Sequence, residues 1–140
     1  MDPLLQHFAT HPFLASAAGV LLLAVVAYEL RHRAHSAASV SPTEAVRLMN
    51  DGAVLVDVRS VNQFKDGHIA GARNVPGDQV ADGAKALEKF RDKTIITCCE
   101  SGVTSGSAAR KLTELGFKQV FNLRGGLAAW RQDNLPVTKD

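Results

Sequence analysis

Thr94-Ile95-Ile96-Thr97-Cys98-Cys99-Glu100-Ser101-Gly102-Val103-Thr104-Ser105 is the stretch whose reading decides the fold. Its first five residues are apolar or β-branched with no polar alternation, the pattern of a strand covered on both faces in a parallel sheet. From Ser105 to Leu115 the positions Ala108, Ala109, Leu112 and Leu115 fall on one helical stripe, and Gly116 supplies a C-terminal stop. The loop from Cys99 to Thr104 therefore leaves the carboxyl end of a buried strand and meets the amino end of a helix. Working outward, Ala53 to Val58 and Gln119 to Leu123 read as two further strands, with helices at Pro42 to Asn50, Ser60 to Lys65, Val80 to Arg91 and Gly126 to Gln132. Ser41-Pro42-Thr43-Glu44 opens the first of these as a capping box, and Asp51-Gly52 closes it. Strands alternating with helices imply right-handed crossovers and an α/β sandwich.

In open α/β sheets ligands bind beyond the carboxyl ends of the strands, so chemistry is expected in the loop that begins with Cys99. A thiol there faces loop amides and the positive end of a helix dipole, and both favour a sulfur anion. Gly102 lets the loop turn inward without a side chain in the way. Cys98 is expected to pack in the core. A bridge to its neighbour would need a strained ring, although a resolving role for this thiol stays open. Two adjacent cysteines at no metal-ligand spacing to a histidine predict neither a disulfide framework nor a metal site. A formal charge of +2, with no basic cluster, is too mild for a nucleic-acid footprint.

The N-terminal part is different in kind. From Pro12 to Tyr28 no residue is charged, and Val20-Leu21-Leu22-Leu23-Ala24-Val25-Val26 is apolar on every side. As a helix, Pro12 to Leu30 would reach about 27 Å, close to the thickness of a bilayer core. Residues 12–30 are therefore expected to span a membrane. Residues 1–11 form a short extracytoplasmic N-terminus, residues 31–40 a basic flank and linker, and residues 41–138 the folded domain. Arg31 and Arg33 follow the span while none of residues 1–11 is Lys or Arg, which orients the domain towards the cytoplasm. That compartment also keeps thiols reduced. Two other readings stay open. A cleavable signal would need a basic n-region, and a buried core helix would leave some polar side. Ala15-Ser16-Ala17-Ala18-Gly19 offers a small-residue surface for helix association.

Several segments together resemble the rhodanese family. They are Val56-Asp57-Val58-Arg59, then Phe64-Lys65-Asp66-Gly67-His68-Ile69-Ala70-Gly71-Ala72-Arg73-Asn74-Val75-Pro76, the Cys99 loop, and Leu123-Arg124-Gly125-Gly126-Leu127-Ala128-Ala129-Trp130 with Leu135-Pro136-Val137. The resemblance runs from about Ser41 to Val137. It implies a three-layer sandwich around a central, mostly parallel sheet, here preceded by one transmembrane helix. It also implies a thiosulfate sulfurtransferase-type enzyme with no cofactor. Cys99 would be its catalytic nucleophile, and Glu100, Ser101, Gly102, Val103 and Thr104 would bind the substrate sulfur through their backbone amides. Thiosulfate or a persulfide would be the donor, and a thiol or cyanide the acceptor. The alternatives are a membrane-tethered binding module and a sulfur carrier with little turnover. The whole would be a single-pass protein of a bacterial inner membrane, in contact with lipid through residues 12–30, with room for a membrane-protein partner.

Thr104 stands where the family commonly has Arg, and Glu100 where the loop is often neutral or basic. Both make the mouth less attractive to an anionic donor, and the missing Arg argues against phosphatase or arsenate reductase chemistry. His68 is expected to stabilise its turn, Asp57 and Arg59 to pair with each other, and Trp130 to pack beside Leu127 in the core. Arg73 and Arg124 are candidates for supplying the positive potential that the loop lacks.

Overall fold

The computed structural model describes residues 12–35 and 38–139, and the chain divides into two compact units at Ser36 and Ala37. The extracytoplasmic N-terminus expected over residues 1–11 lies outside the described residues.

Among the described residues, the first unit contains one helix, α1 (Pro12–His35). It runs five residues past Leu30, because nothing between Arg31 and His35 is a proline or glycine that would stop it. Phe13–Leu30 is long and apolar enough to cross a bilayer, and none of that stretch is buried. A soluble core helix would have its apolar side chains covered, whereas Leu21, Leu22 and Leu23 are each about two-thirds exposed.

The second unit is built on five strands, β1 (Ser39–Val40), β2 (Val54–Asp57), β3 (Arg73–Asn74), β4 (Thr94–Cys98) and β5 (Gln119–Leu123). Their order is β1-β5-β4-β2-β3, and every pairing between them is parallel. Ser39, Asn122, Thr97, Val56 and Arg73 form one row across the sheet. The helices are α2 (Pro42–Asn50), α3 (Val61–Asp66), α4 (Val80–Gly83), α5 (Val103–Glu114) and α6 (Gly126–Gln132).

Two cores flank the sheet because successive strand residues point to opposite faces. Val56, Ile95 and Cys99 pack on one side with Val80, Leu87, Ala108 and Leu112. Leu55, Ile96 and Cys98 pack on the other with Ala45, Leu127 and Trp130. The architecture is the three-layer α/β sandwich expected. The alternation also sends the two adjacent cysteines into different cores, and both are free thiols.

Local sequence sets the helix entries. Ser41 and Glu44 form the reciprocal capping box of α2, with Ser41 N–H donating to Glu44 Oε2 at 2.8 Å. Ser60 and Gln63 do the same for α3.

The second unit also departs from the sequence reading in its details. Ser39 and Val40, expected to be linker, pair with β5, and Val40 is buried. Two residues at a sheet edge carry no periodic signal, and β3 escaped the reading for the same reason. The single helix expected over Val80 to Arg91 is instead α4 followed by tight turns and a 3₁₀ turn at Glu88–Phe90. Gly83 weakens that helix. Its missing side chain also lets the segment close on Val75, whose Cγ1 would lie 2.4 Å from a Cβ there.

Candidate active site

Cys99 sits where β4 has ended and α5 has not begun. Two glycines shape this passage. Gly102 takes φ +89°, and a Cβ on it would come within 3.1 Å of the Gly125 nitrogen and the Leu123 carbonyl oxygen. Gly126 takes φ +59°, and a Cβ there would lie 2.4 Å from the Cys99 carbonyl oxygen. That closeness is what allows the start of α6 to grip the loop from behind. Leu127 N–H donates to the Cys99 carbonyl at 2.8 Å and Ala128 N–H to the Glu100 carbonyl at 3.0 Å. Gly126→Ala should force the two backbones apart and impose a left-handed conformation on alanine, together costing about 2 to 4 kcal/mol. Trp130, the single tryptophan, is buried in the adjoining core, so denaturant unfolding of the detergent-solubilised chain followed by its fluorescence measures the loss.

The loop in turn wraps the sulfur. Gly102 N–H donates to Cys99 Sγ at 3.1 Å and Ser105 N–H at 3.4 Å, with the Ser105 hydroxyl oxygen 3.2 Å away. Burial opposes ionisation of this thiol. The Ser105 hydroxyl and the amides of Ser105, Gly102 and Ser101 outweigh it, holding Cys99 below the usual thiol range. Cys98 is the opposite case. Burial, with the Asp57 carboxylate next in effect, pushes its thiol well above the usual range, and it is core packing as expected.

Outside the sulfur lies a cleft of about 230 Å³ whose walls include Arg59, Ser60, Gln63, Glu100, Ser101 and Thr104, with Val58 and Cys99. Of the loop residues, Glu100, Ser101 and Thr104 line the cleft. Gly102 contributes its amide to the sulfur, while Val103 is 76% exposed and turned to solvent. Arg73 and Arg124 are not part of this wall. Arg73 lies over the Phe90 ring at 4.7 Å and Arg124 reaches Ser39.

The cation at the mouth is Arg59, for which pairing with Asp57 was the favoured expectation and shaping the pocket the other, and the structure shows both the pair and a place in the cleft wall. Arg59 Nη2 donates to Asp57 Oδ2 at 2.6 Å and to the Gly67 carbonyl at 2.7 Å, while Nε donates to Asp57 Oδ1 at 3.0 Å. Its remaining arm, Nη1, lies 3.5 Å from Glu100 Oε2, and Arg131 Nη1 lies 2.9 Å from Glu100 Oε1. Glu100 is therefore a paired carboxylate and not a bare repulsive charge. His68 holds its turn as expected, with Nδ1 2.8 Å from the Phe64 carbonyl and its ring stacked on Phe64.

Ser105 and Asn122 were not singled out from the sequence as site residues. Ser105 read as the first residue of a helix and Asn122 as one position in a strand. Among the described residues no group of three or more His, Cys, Asp or Glu side chains is placed to hold a metal ion.

Residues 41–133 match the family described as Rhodanese-like domain. The chain belongs to the rhodanese family. It is 37% identical over 141 residues to the uncharacterized protein YibN of Escherichia coli, covering 99% of each chain. It is also 37% identical over 92 residues to the thiosulfate sulfurtransferase GlpE of Stutzerimonas stutzeri, covering 66% of this chain and 83% of that one. Among solved structures, the rhodanese-related protein of Thermoplasma volcanium superposes with a TM-score of 0.67 at 26% identity, over 74% of this chain and 99% of the other. The match to YibN takes in the N-terminal stretch as well as the rhodanese domain, whereas that to GlpE covers about two thirds of this chain.

Proposed function

We propose that this rhodanese is a sulfurtransferase in which Cys99 carries sulfane sulfur as a persulfide. The observation that carries the reading is the pair of backbone amides on Sγ, Gly102 N–H at 3.1 Å and Ser105 N–H at 3.4 Å, which stabilises an anion within an otherwise apolar core. In the first half-reaction the Cys99 thiolate attacks the outer sulfur of the donor. The donor's S–S bond breaks, and the leaving group, sulfite from thiosulfate or a thiolate from a persulfide, departs with the bonding electron pair. In the second, a thiolate or cyanide attacks the terminal sulfur and Cys99 leaves as thiolate. Electrons and sulfur balance without a cofactor. The backbone around Glu100 to Thr104 forms the cradle, with the polar walls of the cleft as the entry.

The mouth favours a persulfide donor over thiosulfate. Arg59 is its one lining cation among the described residues, and Asp57, Gly67 and Glu100 already occupy it. A dianion would have to displace Glu100 to reach it. The same feature favours, as a second reading, a carrier that turns over slowly without a dedicated partner.

The test is the intact mass of the full-length chain in detergent after incubation with thiosulfate and, separately, with a small-molecule persulfide. A reducible one-sulfur adduct mapping to Cys99, and released by cyanide, supports the enzyme. An adduct that cyanide does not turn over supports the carrier. No adduct from either donor sinks both and leaves a tethered binding module.

The proposal extends to residues 12–30 as a single membrane span with the domain on the cytoplasmic side, in keeping with the uncovered apolar surface of α1. A membrane protein handling sulfur species would then be an accessible partner. Alkaline extraction of membranes should leave the chain in the pellet, and its release to the supernatant would overturn the span.

A further inference from the structure

The Ser105 hydroxyl has one proton and two neighbours placed to receive it. Its oxygen lies 3.2 Å from Cys99 Sγ and 2.6 Å from Asn122 Oδ1. The orientation of the Asn122 amide follows from its other end. Nδ2 lies 2.8 Å from the Gly102 carbonyl, and a carbonyl only accepts, so the NH₂ group must face Gly102 and Oδ1 must face Ser105. Oδ1 likewise only accepts. The proton of Ser105 therefore lies on the 2.6 Å line to Asn122, and the hydroxyl presents a lone pair to the sulfur.

Ser105 cannot shift as a whole to serve both. It is fully buried, and Thr97 of β4 donates to its carbonyl at 2.9 Å. Thr97 and Asn122 are direct partners across β4 and β5, so the two strands fix Ser105 from below. What remains free is rotation of the hydroxyl about its own bond.

The states of Cys99 make different demands on that rotation. In the thiol, S–H donates to the Ser105 oxygen and every group is partnered. In the persulfide, Sγ is a neutral divalent sulfur with the charge on the outer atom, so the Ser105–Asn122 bond persists. The bare thiolate alone requires the hydroxyl to turn towards Sγ, which leaves Oδ1 without its donor. We propose that Asn122 is a positioning residue that holds the Ser105 proton away from Cys99, disfavouring the bare thiolate relative to the thiol and the sulfur-loaded state. It rests on the reading of Cys99 as the sulfur carrier, and it makes the loaded cysteine the easier resting state between donor and acceptor.

The charged groups at the sulfur's mouth are Arg59 and Glu100, with Asp57 tied to Arg59 behind them. From α5 and β5 the groups beside it, Ser105 and Asn122, are neutral. Asn122 thus reaches the sulfur by two neutral routes, through the Ser105 hydroxyl and through Gly102, whose carbonyl its Nδ2 holds and whose amide meets Sγ, and a Ser105→Ala background separates them.

The test is the rate of Cys99 alkylation by iodoacetamide against pH in the full-length chain in detergent, with the labelled site assigned by peptide mass. Asn122→Leu removes the acceptor and frees the hydroxyl, and should lower the apparent pKa of Cys99 by about one unit. Asn122→Asp claims the proton more strongly and should raise it, and because the new charge raises it by itself and the contact to Gly102 is lost, only the part of the rise that Ser105→Ala removes supports the proposal. In a Ser105→Ala background the effect of Asn122→Leu should vanish. An unchanged or raised value in Asn122→Leu, a fall in Asn122→Asp, or a Leu shift that survives Ser105→Ala would each overturn the proposal. No sulfur donor enters this measurement, so a wild-type chain that ionises as described but never loads sulfur would sink the sulfurtransferase reading by itself.

Discussion

Cys99→Ser is expected to abolish sulfur loading and to lower transfer from any donor to cyanide by about a thousandfold or more. The reasons are chemical before they are structural. A serine hydroxyl is not ionised near neutral pH, and its oxygen does not form a stable, exchangeable bond to sulfane sulfur, so neither half-reaction has a nucleophile. The substitution is nearly isosteric within the loop, and Gly102 and Ser105 would still have an acceptor in place of Sγ. A loss of activity would therefore report lost chemistry and not a lost fold, which Trp130 fluorescence verifies. Cys98→Ser gives the contrast. Its sulfur lies in the opposite core with Ile96 and Leu127, so loading should persist even if stability falls. Intact-mass measurement on both variants decides the matter. An adduct that survives Cys99→Ser, or disappears in Cys98→Ser with the fold intact, would move the nucleophile away from Cys99.

The features of this site that were legible in the sequence were those encoded over short distances. β4 and β5 could be placed residue for residue because short segments rich in apolar and β-branched residues, set between a helix stop at Gly116 and turn residues such as Gly125, have little other meaning in an alternating chain. Ser41 and Glu44 announced a helix start because both halves of a capping box lie within four residues. The position of Cys99 followed from strand, glycine and helix in succession. What escaped were relations between distant residues. Ser105 and Asn122 are 17 positions apart and Arg59 and Glu100 are 41 apart, and only the pairing of β4 with β2 and β5 brings them to one end of the sheet. Glu100 shows the consequence. As a lone acidic residue in a loop it read as a repulsive charge, and its character changes once Arg59 and Arg131 are seen against it. The two-residue strands at either edge escaped for the simpler reason that a period cannot be read from two residues.

Arg59→Met should be the most destabilising single change at the site, costing about 3 to 5 kcal/mol. Asp57 is completely buried and Arg59 is 7% exposed, so neither charge can be solvated by water in the folded state. Burial alone would favour loss of the guanidinium's charge. The Asp57 carboxylate beside it outweighs that, holding Arg59 above its ordinary value. Removing the guanidinium strands the carboxylate with the Arg59 backbone amide, at 3.0 Å, as its remaining donor in the network described here. It also leaves the Gly67 carbonyl without the arm that met it at 2.7 Å. Arg59→Lys should recover little, because a single ammonium cannot make the forked contact to both carboxylate oxygens and still reach Gly67. The net contribution of the pair to stability is nevertheless expected to be small, since buried ion pairs replaced as a unit by apolar residues often cost nothing. The double variant Asp57→Leu with Arg59→Met should accordingly regain most of what Arg59→Met loses. Denaturant unfolding followed by Trp130 fluorescence measures all three. A loss below about 1 kcal/mol in Arg59→Met would be the value of an exposed pair, and would mean that water reaches Asp57. If the double variant regains stability but loads sulfur poorly, the pair is kept for the mouth of the site, where Arg59 holds Glu100 against the cleft that leads to Cys99.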